Sequence, residues 1–314
     1  MRRRLIIIVA ASAAAGYLML GTGSAATFVA QQEAEDGDLS GNAVTISGTA
    51  ANGASGDGAV RFQAPVSPPP AAPWTLQWQS DPARGLNNFE GVEDDRRDSH
   101  PGVTHIFALD TDFRFEMHVD DRDGPDRQRS EIYGIRRPDN SVVMMRRGET
   151  WRQIYDVFIP PTFTGTTNFT HINQIKFISL TDNRDMGTPG SPIATLTLVK
   201  KGDGSEVMRT VTHYPTPVAF NDIPLSTLRG KWIQVEMEYK YELAANGGYI
   251  RMAIRDGATT VTDRTKTDVD IWVEAGTGTN KFMRPKWGIY RSVESAGLQD
   301  TYMLMRNMRW YQKQ

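Results

Sequence analysis

From Trp74 onward, apolar and polar side chains alternate in short runs. Phe113, Phe115, Met117 and Val119 interleave with Arg114, Glu116, His118 and Asp120, which gives a strand one apolar and one polar face. Ile233, Val235, Met237, Tyr239 and Tyr241 interleave in the same way with Gln234, Glu236, Glu238 and Lys240. Further strands are predicted at Tyr155 to Ile159, Ile172 to Leu180, Ala194 to Val199, Tyr249 to Ile254, Trp287 to Tyr290 and Met303 to Trp310. Gly, Pro, Asn and Asp punctuate these runs, and no helical period competes with them. The pattern predicts an all-β domain over residues 74–314, built as two packed antiparallel sheets in a β-sandwich.

The N-terminal part has a different texture. Arg2, Arg3 and Arg4 precede an uncharged run from Leu5 to Ala30, the n-region and h-region of a signal peptide, with Gly23-Ser24-Ala25 as a small-residue cleavage site. The run is also long enough to cross a bilayer, so residues 1–30 read as a signal peptide or, if uncleaved, a membrane anchor. Either reading sends the protein outside the cell or to its surface. Residues 31–73 form a Gly/Ala/Ser/Pro-rich linker too poor in large apolar residues to build a core. Within it, Glu33-Ala34-Glu35-Asp36-Gly37 and the stretch from Ala54 to Phe62 resemble the opening strands of β-sandwich carbohydrate-binding modules, as a remnant with no binding role.

Charge narrows the partners. With 35 basic and 37 acidic residues the net charge is -2, so no global field favours nucleic acid, and an anionic ligand must be held by a local basic cluster. The absence of cysteine excludes disulfides and thiolate metal sites. A monomer is expected.

Three segments place polar groups on strand faces. In Arg127-Gln128-Arg129-Ser130-Glu131-Ile132-Tyr133, the residues Arg127, Arg129, Glu131 and Tyr133 share one side. The Arg129 guanidinium can grip a carboxylate through two hydrogen bonds while Glu131 holds the fork in place. A surface salt-bridge ladder is the competing explanation. In His171-Ile172-Asn173-Gln174-Ile175-Lys176, Gln174 and Lys176 share a face, and His171 and Asn173 take the other unless a bulge intervenes. His171 can move a proton near neutrality, and Gln174 can hydrogen-bond a carboxylate without adding charge. In Lys286-Trp287-Gly288-Ile289-Tyr290-Arg291, Lys286, Gly288 and Tyr290 share a face, Gly288 leaves room between them, and cations such as Lys286 and Arg129 would activate the phenol. A core tyrosine beside a snorkelling lysine is the alternative. Arg291 is a further candidate for binding substrate.

Taken in this order, the segments resemble the signature of the concanavalin-A-like jelly-roll polysaccharide lyases, a group that includes alginate, glucuronan and heparin lyases. Arg129-Ser130-Glu131 is similar to their Arg-Ser-Glu strand, Gln174-Ile175-Lys176 to their Gln-Ile-His, and Lys286-Trp287-Gly288-Ile289-Tyr290 to their Lys-x-Gly-x-Tyr. Gly230-Lys231-Trp232 before a long alternating strand is another shared feature. Lys176 departs from the pattern, since the family has histidine there. The resemblance implies a jelly-roll fold and cofactor-free β-elimination on an acidic, uronic-acid-containing polysaccharide. Tyr290 is then the central catalytic residue with His171 and Lys286, and Arg127, Arg129, Glu131, Gln174, Lys176 and Arg291 bind substrate.

Two rivals share the fold class. A glycoside hydrolase needs two carboxylates flanking the scissile bond; Glu236 and Glu238 share a face, but one that reads as solvent-exposed. A lectin-like module would bind glycan without cutting it. The acidic stretch Asp120-Asp121-Arg122-Asp123 reads as a solvated turn rather than a calcium loop, and no metal ligand is assigned.

Overall fold

The computed structural model describes residues 73–314 together with two short strands nearer the N-terminus; the signal peptide or anchor at residues 1–30 lies outside the described residues. The two strands, β1 (Ala43–Ser47) and β2 (Gly58–Phe62), pair antiparallel with Ala43 opposite Phe62. The second compact unit, Ala72–Gln314, holds everything else.

That unit consists of β3 (Trp74–Gln79), β4 (Gly91–Asp94), β5 (Ile106–Ala108), β6 (Phe113–Met117), β7 (Arg127–Tyr133), β8 (Thr150–Phe158), β9 (Thr170–Thr181), β10 (Arg184–Asp185), β11 (Ala194–Lys200), β12 (Glu206–Thr212), β13 (Val218–Pro224), β14 (Trp232–Lys240), β15 (Tyr249–Asp256), β16 (Thr259–Thr267), β17 (Asn280–Ser292) and β18 (Thr301–Lys313). One sheet runs β13-β12-β11-β9-β17-β7-β4, with β10 on β9; the other runs β16-β15-β14-β8-β18-β6-β5, with β3 on β18. Neighbours in sequence repeatedly lie apart in space, as in a jelly roll, and every strand pair in both sheets is antiparallel.

Period-two alternation explains the layers. Phe113, Phe115 and Met117 of β6, Ile233, Val235, Met237 and Tyr239 of β14, and Trp287 and Ile289 of β17 all point into one shared core. Each large side chain buried there contributes about 1.5–3 kcal/mol, enough to hold the sandwich without disulfides. A polar clamp crosses the core behind β9. Gln153 of β8 donates from Nε2 to Asn173 Oδ1 at 2.8 Å and to the Tyr239 hydroxyl at 2.6 Å, and accepts from Trp287 Nε1 at 3.2 Å. These bonds fix β9 and β17 against the opposite sheet, and with them the register of whatever their outer faces carry.

Gly288 matters for a reason other than side-chain room. Its φ is +129°, and a Cβ would lie 2.1 Å from the Ser130 carbonyl oxygen on β7. Gly288→Ala is therefore expected to lower stability by at least about 2 kcal/mol, read as a fall in the denaturant midpoint at unchanged slope.

Candidate functional site

The outer face of β7, β17, β9, β11 and β12 carries a cleft of about 500 Å³. Strand register builds its floor. Tyr290 lies opposite Arg129 on one side and His171 on the other, His171 lies opposite Thr197, and Thr197 opposite Arg209. Cross-strand partners project to the same face, so five strands deliver one continuous row into the cleft. Lys286 opposite Gln174 begins a second row.

His171 reaches this face because β9 is bulged. The register against β11 shifts between Leu196, opposite Asn173, and Thr197, opposite His171. Asn173 turns inward to Gln153 while His171 and Gln174, three positions apart, both line the cleft. The extra residue in β9 reverses the side-chain parity.

The first row forms an aromatic and cationic stack. Arg129 lays its guanidinium 3.9 Å from the centre of the Tyr290 ring. Arg127 donates from Nη1 to the Tyr290 hydroxyl at 2.6 Å. The His171 ring lies 5.9 Å from that of Tyr290 and 5.3 Å from that of Phe169. Burial, reinforced by His213, Arg129, Lys176 and Lys286, pushes the His171 pKa down to about 3. The imidazole is thus neutral at ordinary pH, and its Nδ1 is buried without a hydrogen-bond partner. Burial and Lys176 likewise hold His213, across the cleft, at about 4.

Behind the row lies a charge network that sequence reading saw only in part. Fully buried Glu131 accepts from Arg129 Nη1 at 2.7 Å and Gln174 Nε2 at 2.5 Å, and its carboxylate lies 2.7 Å from Lys286 Nζ. Arg129 also donates to Asp123 at 2.8 Å and Glu93 at 3.1 Å. Lys286 bonds to Glu93 and Glu131, so its ammonium braces the network from behind. Burial would raise the Glu93 pKa, but Lys286 and Arg129 outweigh it and hold the carboxyl below its usual range. Three carboxylates, Glu93, Asp123 and Glu131, balance Arg96, Arg129 and Lys286. Arg129 and Gln174 are thereby fixed in orientation, as a preorganised site requires.

The cleft wall itself is cationic. Arg127, Arg129, Lys176, Arg209 and Lys286 line it, and among the described residues no carboxylate does. Lys176 donates to the Gly190 carbonyl at 2.7 Å. Burial, with Lys286 and Arg129 adding like charge, lowers its pKa to about 8. Lys176 therefore carries its charge below that pH and loses it above. Binding of an anionic ligand in the cleft is expected to weaken as pH rises through about 8, and this dependence to be absent in Lys176→Gln, which should bind roughly ten- to a hundredfold less tightly for want of one charged hydrogen bond.

Three expectations need correction. Arg291 does not reach the cleft. Period two sends it to the opposite face from Tyr290, where it is 1% exposed and donates to Gln128 Oε1 at 2.6 Å, and burial lowers its pKa to about 10. Glu236 and Glu238 are not solvent-exposed: each is 7% exposed, on β14 of the other sheet, and paired with Arg152 at 3.4 and 2.8 Å. The acidic stretch is no solvated turn, because Asp121 and Asp123 are both buried. Glu93, Arg209 and His213 escaped sequence reading because no motif marks them, and Asp123 was read only as part of a turn; the topology brings all four to the site.

Compared by sequence, the chain matches no family model and no curated protein. Solved structures to which the chain is similar include alginate lyases. One from Aplysia kurodai is 14% identical over 63% of this chain and 82% of its own, with a TM-score of 0.42. One from Pseudomonas aeruginosa is 13% identical over 72% and 98%, with a TM-score of 0.45. One from a Chlorella virus is 9% identical over 75% and 99%, also with a TM-score of 0.45. The chemistry open to this chain follows from the cleft residues themselves.

Proposed function

We infer that the protein is an exported polysaccharide lyase that cleaves a uronic-acid-containing polymer by β-elimination. The observation that carries the reading is the cleft row: a phenol and a neutral imidazole stand side by side on a floor of cations, with no facing carboxylate among the described residues. A cationic wall suits an acidic sugar. Glycosidic hydrolysis needs a carboxylate pair flanking the bond, and the described residues that line the cleft supply none.

The reaction removes the proton on the carbon alpha to the sugar carboxylate and breaks the bond between the adjacent ring carbon and the glycosidic oxygen, leaving a carbon–carbon double bond. Its barrier is the weak acidity of that carbon. Arg129 and Lys176 offset the charge of the carboxylate and Gln174 hydrogen-bonds it as it takes on enolate character, an effect worth about 3 kcal/mol per well-placed donor. The Tyr290 oxygen, which accepts a hydrogen bond from Arg127, takes the proton from that carbon and passes it to the leaving oxygen, so no net proton is consumed. His171, neutral and beside the phenol, offers a lone pair to the same region.

The test is incubation with a panel of polyuronates, alginate first, following absorbance of the unsaturated uronate. Growth of that signal supports the reading. Reducing ends without it would make the protein a hydrolase, and binding without either would make it a lectin.

A further inference from the structure

Away from the cleft, four side chains converge on one point. His100, on the loop between β4 and β5, His105, just before β5, His118, just after β6, and Asp121 on the following turn each direct one ligand atom into a cluster whose atoms all lie within 4.8 Å of one another. His105 and Asp121 are 2% and 4% exposed. His100 Nδ1, His105 Nε2, His118 Nδ1 and Asp121 Oδ1 are all buried without a hydrogen-bond partner. Asp121 Oδ1 lies 2.7 Å from His100 Nδ1 and 3.2 Å from His105 Nε2, close but misaligned for hydrogen bonds. Lone pairs that crowd together and point past one another are expected of ligands sharing a cation.

We propose that His100, His105, His118 and Asp121 form a structural Zn²⁺ site. Three imidazoles and one carboxylate are a tetrahedral donor set, and ligand atoms about 2.0–2.2 Å from zinc sit roughly 3.3 Å apart, close to the spacing present. Nitrogen-rich donors disfavour calcium or magnesium, which take oxygen. Surrounding bonds hold each ligand for this role. Asp94 Oδ1 lies 2.7 Å from His105 Nδ1 and Asp94 Oδ2 accepts the His105 backbone N–H at 3.0 Å, which leaves the lone pair on Nε2, as carboxylate partners of metal-bound histidines do. Asp121 Oδ2 accepts the His118 backbone N–H at 2.5 Å, freeing Oδ1, and Asp95 accepts the His100 backbone N–H at 2.6 Å. With four protein ligands the ion has no open position, so its work is to join two loops. Those loops also carry Arg96 and Asp123, which are ion-paired at 2.8 Å, and Asp123 in turn accepts from Arg129 at 2.8 Å. The ion thus ties down the outer edge of the cleft network.

The test uses the purified full-length chain, stripped with a chelator and titrated with Zn²⁺, with Co²⁺ as a spectroscopic substitute. One equivalent of Zn²⁺ should bind, Tm should rise with the logarithm of free zinc, and Co²⁺ should give the intense visible bands of a tetrahedral ion. His118→Ala and His100→Ala, the two more exposed ligands, should abolish the Co²⁺ bands. Asp94→Asn should weaken Zn²⁺ binding ten- to a hundredfold while keeping the stoichiometry. Absence of stoichiometric Zn²⁺ binding by the wild-type chain, or binding indifferent to His100→Ala and His118→Ala, would overturn the proposal. Neither readout depends on lyase activity.

Discussion

Tyr290→Phe should leave a folded protein whose kcat on a polyuronate is lower by roughly a hundred- to ten-thousandfold, with KM little changed. The substitution removes one oxygen and keeps the ring, so the contacts with Arg129 at 3.9 Å and Phe169 at 5.0 Å survive. What disappears is the proton carrier, and general acid–base groups contribute on that scale. Arg127 loses an acceptor but keeps Asp126 at 2.6 Å, so the cost in stability stays within about 1 kcal/mol. A kcat within a few-fold of wild type would remove Tyr290 from the chemistry.

Glu131→Ala has the largest expected effect on stability. Glu131 is fully buried and is the common partner of Arg129, Gln174 and Lys286. Removing it leaves two desolvated cations with Glu93 and Asp123 as their remaining carboxylate partners among the described residues. Breaking a buried pair in this way costs about 3–5 kcal/mol, which should appear as a large drop in the denaturant midpoint. Turnover should also fall below the melting temperature, because Arg129 and Gln174 lose the carboxylate that orients them. By contrast, Glu242→Ala at the exposed Arg147 pair should move the denaturant midpoint little. Equal, small losses at the two positions would mean that the network does not organise the cleft.

The strands legible in the sequence are those with one wet and one dry face. β6 could be read residue by residue because burial alternates along it; β14 was legible because apolar and polar side chains alternate along it, although Glu236 and Glu238 are buried too. β16 could not: Thr259–Thr267 has no buried residue, so neither face carries a signal. β4 and β5, of four and three residues, are shorter than any reliable period. Within the site, Gln174 stood out as a polar interruption of an apolar strand, Arg129 because it shares a strand face with Arg127 and Glu131, and Tyr290 because it shares one with Lys286 and Gly288. The placement of His171 depends on a bulge, which cross-strand register determines and local sequence does not. The balance of charge behind Arg129 was legible only at Glu131, on the same strand, since Glu93 and Asp123 come from other segments. Arg291 shows the opposite case: period two alone places it across the strand from Tyr290.

The most direct test of the elimination chemistry is the mass of the products. In a digest of a defined oligouronate, elimination conserves mass, so the two fragments together weigh as much as the substrate and the new non-reducing end lacks one water. Fragments whose summed mass exceeds the substrate by one water would show hydrolysis, and would contradict the role assigned here to Tyr290 and its cationic floor.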